Sequence, residues 1–326
     1  MELIPKGSNK LTKVGKSLQI TNKLIKEIDS RELTYPDDFR CPIPDENFQK
    51  VLIEDYNIEV VDGTVAYKDV KGIEKLRIFR KKIKSLDGIQ YFSALTNFGC
   101  PFNQLTSLDV SNNTALTKLH CTGNELTSLN VSKNTALTEL WCSNNQLTSL
   151  VVSKNIALTR LCCESNKLNS LDLSNNSALV KIECYNNQLT SLDVSKNTAL
   201  TELSCGKNKL TSLDVSKNPY LTILWCWENQ LTTLDVSKNT ALIQLEFSVN
   251  QLTSLDLSEN PALGHLNCSE NQLTSLDVSK NTALMYLDCR DNQLTSLDLS
   301  NNPKLKEVNL SGNPGDWWKE LEKDEE

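Results

Sequence analysis

Histidine is nearly absent from this chain. Its 326 residues hold two, His120 and His265, and the periodicity set out below separates them by about seven coils, so they cannot share a metal or catalytic site. Long apolar runs are missing as well. No stretch approaches the roughly 18 to 20 continuous apolar residues of a membrane helix. The opening MELIPKGSNKLTKVGK has Lys but no apolar core, so it does not read as a secretory signal. The end carries no hydrophobic tail and no LPxTG-type sorting motif. These absences favour a cytoplasmic protein, with a secreted or cell-surface one whose address has been removed as the alternative. Positive charge is not in excess. The net charge is −7, no basic run stands out, and Lys recurs at one repeated position, as at Lys133, Lys154 and Lys196. That pattern reads as a solvated edge, so nucleic acid is not an expected partner. There are eleven cysteines but no CxxC pair, and no nearby His completes a zinc site. No metal or other cofactor is expected.

What the chain has is a period. A 21-residue unit recurs ten times from Leu95, and the copy from Leu116 to Ala136 reads LTKLHCTGNELTSLNVSKNTA. Leu, Leu, Cys, Asn and Leu take offsets 0, 3, 5, 8 and 10, then Leu and Val take 13 and 15. The copies begin at Leu95, Leu116, Leu137, Leu158, Leu179, Leu200, Leu221, Leu242, Leu263 and Leu284, with a truncated one at Leu305. A transitional coil begins at Ile73. It keeps the offsets, but the next coil follows after 22 residues and Lys81 replaces the Asn. A period of about 20 to 29 with LxxLxLxxNxL spacing is the leucine-rich-repeat signature. The predicted fold is a leucine-rich-repeat solenoid of the α/β horseshoe class, mostly strand and loop. It has a parallel concave sheet and an N-terminal helical cap. Each coil cannot bury its apolar face alone and is stabilised by its neighbours.

The chain divides into an N-terminal extension (1–42), a helical cap (43–72), the solenoid (73–314) and a C-terminal cap with an acidic tail (315–326). In the extension, Leu18 and Ile20, then Leu24, Ile25 and Ile28, suggest a strand and a short helix. In IPDENFQKVLIEDYN, Phe48, Val51, Leu52 and Tyr56 form one helical stripe behind Pro44, Asp45 and Glu46, residues suited to a helix start. Trp317 and Trp318 read as a lid over the last coil.

Within a coil, LxxLxC supplies the strand and LTSLDVS a return segment, extended or loosely turned. Strand alternation sends Leu119 and Cys121 inward and Lys118, His120 and Thr122 outward. The Asn closing each half, such as Asn124 and Asn134, can satisfy turn backbone with its amide. Nine cysteines share one inward position: Cys100, Cys121, Cys142, Cys163, Cys184, Cys205, Cys226, Cys268 and Cys289, with Phe247 filling the gap. Neighbouring parallel strands lie about 4.7 to 4.9 Å apart. A disulfide wants Cβ atoms about 3.5 to 4.5 Å apart, so bridging stacked thiols would need strain. A reduced, buried ladder is expected.

The unit LxxLxCxxNxLxxLDVSxNxA resembles the cysteine-ladder repeats of the internalin-J-like bacterial family. The preceding IPDENF helix and the 22-residue first coil with LDGIQYF are similar to the internalin-type entry cap. The resemblance spans Ile73 to Pro314. It implies a curved right-handed solenoid that recognises a protein or other ligand on its concave surface. In relatives the cap resembles a truncated EF-hand. Here only Asp62-Gly63 matches such a loop, and no calcium site is carried over.

Comparing coils with one another locates the expected site. The convex and edge positions hardly vary, whereas the outward strand positions at offsets 2, 4 and 6 change from coil to coil and collect the large aromatics. Trp225 and Trp227 flank Cys226 and share a face. Tyr185 lies two coils away and Trp141 two further. Exposed aromatics dominate binding hot spots. Tyr185, Trp225 and Trp227 are the expected anchors, with Trp141 and Tyr286 on the same face. Glu183, Glu246, Arg160 and Lys181 are expected to tune specificity at the rim. Cys162 reads as an outward, tolerated surface thiol, and no catalytic residue is assigned. The sequence therefore points to a non-enzymatic protein–protein interaction module or adaptor, itself a monomer. An exported internalin-like adhesin or a glycan or host-ligand binder is the alternative.

Overall fold

The computed structural model describes residues 35–315 and Trp317. The strand and helix expected around Leu18 to Ile28 lie outside the described residues, as does Trp318.

Each LxxLxC segment forms a three-residue strand. Twelve of these, β3 (Lys75–Arg77), β4 (Asn97–Gly99), β5 (Lys118–His120), β6 (Glu139–Trp141), β7 (Arg160–Cys162), β8 (Lys181–Glu183), β9 (Glu202–Ser204), β10 (Ile223–Trp225), β11 (Gln244–Glu246), β12 (His265–Asn267), β13 (Tyr286–Asp288) and β14 (Glu307–Asn309), pair in chain order into one sheet. The pairing is parallel and in step, so residues one repeat apart face each other: Leu119 meets Leu140, and Trp225 meets Glu246. The structure is thus the leucine-rich-repeat solenoid that the period predicts.

The step is held from inside. In the coil from Leu116, the residues Leu116, Leu119, Cys121, Leu126 and Val131 are fully buried. The same offsets in successive coils merge into one continuous apolar core from Cys41 to Leu310. All eleven cysteines are free and buried. Two asparagine ladders tie the coils together. Asn145 accepts from Leu126 N at 3.0 Å and donates to the carbonyls of Cys121 and Cys142 at 3.1 and 3.0 Å. Asn155, in the second ladder, donates to the carbonyls of Val131 and Asn134 at 3.0 and 2.8 Å. The return half is turned rather than stranded, apart from one bridge between Asn130 and Val151. Its Asp closes an Asx turn, as where Asp172 accepts from Ser174 N at 2.9 Å.

At the entry end, β1 (Arg40–Pro42) pairs antiparallel with β2 (Thr64–Ala66). The Asp62-Gly63 pair forms the turn leading into β2, with φ of 48° and 69° at its two residues. Positive φ at both central residues is the geometry of a tight hairpin. Helix α1 (Glu46–Glu54) buries Phe48, Val51 and Leu52, and the Phe48 ring lies 6.1 Å from that of Phe92. Tyr56 falls beyond the helix, where its hydroxyl accepts from Arg77 N at 2.7 Å. Asp45 joins helix and solenoid. One carboxylate oxygen caps α1 at Asn47 N and Phe48 N, while the other accepts from Lys84 N and Ser85 N at 2.8 and 3.0 Å. A single-turn helix, α2 (Tyr67–Val70), leads into the first coil. Trp317 packs on the other end of the core.

Candidate functional site

Three rows of outward side chains run along the solvent face of the sheet. The middle row follows the register Trp141, Cys162, Glu183, Ser204, Trp225, Glu246. The row at offset 2 passes through Glu139, Arg160, Lys181 and Glu202 to His265 and Tyr286. The third row includes Glu164, Tyr185, Gly206 and Trp227, held in step by bonds such as Lys207 N to the Trp227 carbonyl at 2.7 Å.

The aromatics are half-buried rather than fully exposed. Trp227 leans across Gly206 towards Tyr185, and the two ring centres lie 6.2 Å apart. A Cβ placed on Gly206 would come within 2.6 to 2.7 Å of three indole atoms of Trp227. The glycine makes room for the ring, and its part was not anticipated from the sequence. A large aromatic one repeat away from a glycine was the signal available. Trp225 stands beside buried Ser204, and its indole N–H has no hydrogen-bond partner among the described residues. Trp141 holds the Arg160 guanidinium 5.6 Å from its ring centre, with His120 at 5.6 Å on the other side. Tyr286 stacks on His265 at 4.2 Å with an interplanar angle of 3°. The His265 ring reaches Glu246 at 3.1 Å, so Glu246 belongs with Tyr286 as much as with Trp225.

The charged residues do not sit at a rim. Arg160, Lys181 and Glu183 lie in the middle of the face, between Trp141 and Trp225; Lys181 and Glu183 are paired, while Arg160 stacks on Trp141 and its Nε has no hydrogen-bond partner among the described residues. Lys181 contacts Glu183 at 3.0 Å and Glu202 at 2.7 Å. Cys162 also departs from expectation. It faces outward on β7, yet only 2% of it is exposed, and its thiol donates to Glu183 at 2.8 Å. Burial, reinforced by the hydrogen bond and charge of Glu183, pushes the thiol pKa up to about 12. It is therefore not a reactive surface cysteine. Burial alone would raise Glu183 too, but hydrogen bonds from Cys162 and Lys181 and the charges of Lys181 and Arg160 hold it below the usual carboxylate range. Glu164, whose pKa burial raises, completes a group with Cys162 and Glu183 whose donor atoms all lie within 4.8 Å of one another. That donor set suits a cation in kind. Arg160 and Lys181 already supply positive charge there, and we assign no metal.

The charge reading needs a further correction. Residues 75–84 read KLRIFRKKIK, with six cations in ten residues. The overall charge of −7 masked this run. Extending the strand offsets into the 22-residue coil would have found it, together with Phe79 at offset 6.

Comparison with solved structures places this geometry. The functional domain of InlJ from Listeria monocytogenes, described as including a cysteine ladder, is 33% identical; the match covers 86% of this chain and 73% of that one, with a TM-score of 0.71. The chain belongs to the internalin-like family of cysteine-ladder leucine-rich-repeat proteins. The internalin InlF from the same organism shares the fold at 22% identity, over 84% of this chain and 92% of its own, with a TM-score of 0.72. So does the leucine-rich-repeat ectodomain of the plant receptor kinase GASSHO1/SCHENGEN3 from Arabidopsis thaliana, solved in complex with Casparian strip integrity factor 2. It is 23% identical over 75% of this chain and 33% of its own, with a TM-score of 0.66. No family model and no curated protein matches the chain. In this internalin-like chain, no helix among the described residues is long and apolar enough to cross a membrane. Its fold is that of a protein-interaction scaffold.

Proposed function

We propose that this protein is a non-enzymatic interaction module that holds a protein partner on the concave face of its sheet, with Tyr185, Trp225 and Trp227 as anchors. The Trp227–Gly206–Tyr185 arrangement carries the reading: two large rings are packed to 6.2 Å over a glycine. Pre-packed aromatics lose little side-chain freedom on binding and supply large contact areas, as hot spots do. Glu183 and Lys181, being paired already, and Arg160, held on the Trp141 ring, would add orientation more than affinity. Trp141, Glu246 and Tyr286 flank this centre. The plant ectodomain holding its factor is a case of the same fold engaged with a partner.

The test is affinity capture from native lysate and from candidate host extract, comparing the wild type with Trp225→Ala/Trp227→Ala after circular dichroism shows both folded. A protein held by the wild type and lost by the variant is expected. Its compartment then decides between an adaptor and an exported binder. Equal retention would move the site off this face, and retention of glycans in place of protein would change the ligand class.

A further inference from the structure

The entry end of the same face carries a separate feature. In register, Gly99 lies between Arg77 on β3 and His120 on β5. With no side chain at Gly99 and Pro101 following it, a trough of about 440 Å³ opens there, lined in part by Arg77, Phe79, Lys118, His120 and Trp141. That volume falls at the small end of ligand sites, about 300 to 1,000 Å³, and fits one large side chain with its flanking backbone.

The walls are aromatic and the charge is positive. Phe79 is 52% exposed and meets Phe102 edge-on at 5.6 Å. The Arg80 guanidinium sits 5.0 and 5.1 Å from the two ring centres. Exposed rings held in this way form a prepared apolar surface. No carboxylate lines the trough. The Arg77 guanidinium has no ion-pair partner among the described residues, and Lys118 reaches Glu139. The trough thus opens on the one strongly cationic stretch, residues 75–84, of a chain whose net charge is −7. Further along, the same face carries the carboxylates of Glu183, Glu202 and Glu246, the first two bridged by Lys181. A long polyanion laid along the face would meet those carboxylates. A short acidic segment seated at the entry end would not.

We propose that this trough binds an acidic peptide segment. An apolar or aromatic side chain of the peptide enters between Phe79 and Trp141, and the carboxylates beside it pair with Arg77 and with Lys118, which exchanges Glu139 for the ligand. The site is independent of the Tyr185–Trp227 pair.

Titration calorimetry on the full chain with the probe acetyl-Asp-Phe-Glu-Asp-amide tests it, against the same peptide with Lys at each acidic position, a thymidine octanucleotide and a uronic-acid oligosaccharide. Gly99→Leu fills the trough. A Cβ there meets nothing nearer than 3.8 Å, so the fold should tolerate it, and circular dichroism checks this. The acidic peptide should bind and the lysine peptide should not. Gly99→Leu and Arg77→Glu should each weaken binding by about tenfold or more. Trp225→Ala/Trp227→Ala should leave it unchanged, so this site and the central one fail separately. Equal binding of both peptides, no binding of either, or an unaltered affinity in Gly99→Leu overturns the proposal. Tighter binding of the oligonucleotide or the oligosaccharide overturns the peptide class.

Discussion

Asp288 is 3% exposed at a position where the neighbouring coils carry Asn267 and Asn309. All three accept from the backbone N–H two residues on, Asp288 from Arg290 N at 3.2 Å and Asn267 from Ser269 N at 3.1 Å. Asparagine therefore keeps the turn without burying a charge. Burial pushes the Asp288 pKa up, against the backbone hydrogen bond and the charge of Arg290. A raised carboxylate keeps its proton in the native state where the unfolded chain has lost it. Its cost is therefore present at neutral pH and fades as pH falls into the carboxylate range. Asp288→Asn should raise Tm at pH 7, with a smaller gain near about pH 4. A lower Tm at pH 7 would mean that the pair with Arg290, at 3.7 Å, outweighs the burial. Cys162 marks what sequence reading leaves open at this scale. Alternation tells which way a side chain points. How deeply it sits depends on Arg160 and Glu183, and the latter lies 21 residues away.

The coil is the natural element here, and its two asparagine ladders differ. Asn145 uses both ends of its amide across the coil boundary, whereas Asn155 is engaged through its donors. Asn145→Ala leaves the buried Leu126 N–H unpaired, while the carbonyls it served keep the amides of Asn124 and Asn166; Asn155→Ala leaves no group unpaired, because its carbonyls keep the N–H groups of Asn134 and Leu137. Asn145→Ala should cost roughly 2 to 4 kcal/mol in urea unfolding and Asn155→Ala roughly 1 to 3. Equal costs would show that the accepting end contributes nothing. Nearly all of the coil was legible in the sequence, because burial at offsets 0, 3, 5, 10 and 15 recurs with a period that no other fold requires. The turned return half was half-legible: the Asp that closes its Asx turn was visible, the absence of a strand was not. The candidate site was legible only as a set of outward positions. Trp227 over Gly206, Tyr286 on His265, and the paired charges are contacts between coils. They depend on which small or charged residue stands one repeat away.

Across the whole molecule the thiol ladder couples stability to pH. Burial raises the pKa of seven ladder cysteines, to about 12 at Cys121 and Cys226, and a hydrogen bond with Cys289 together with burial raises that of Cys268. Above about pH 8.5 the unfolded chain loses thiol protons that the native chain keeps, so native stability falls as pH rises. Each such thiol contributes up to about 1.4 kcal/mol per pH unit. Chemical denaturation between pH 8 and 11 should show a steep alkaline loss, with a thiol reagent labelling no ladder cysteine before unfolding. A pH-independent midpoint would contradict a buried, protonated ladder. The functional account rests on one face of this solenoid, and site-specific photo-crosslinking of a captured partner tests it most directly. A benzophenone amino acid would be placed at Tyr185 or Trp141 on the sheet face, and at Lys133 or Thr232 on the return side. The account predicts partner adducts from the first pair and none from the second. Adducts from Lys133 or Thr232 alone would place recognition on the opposite side of the coil.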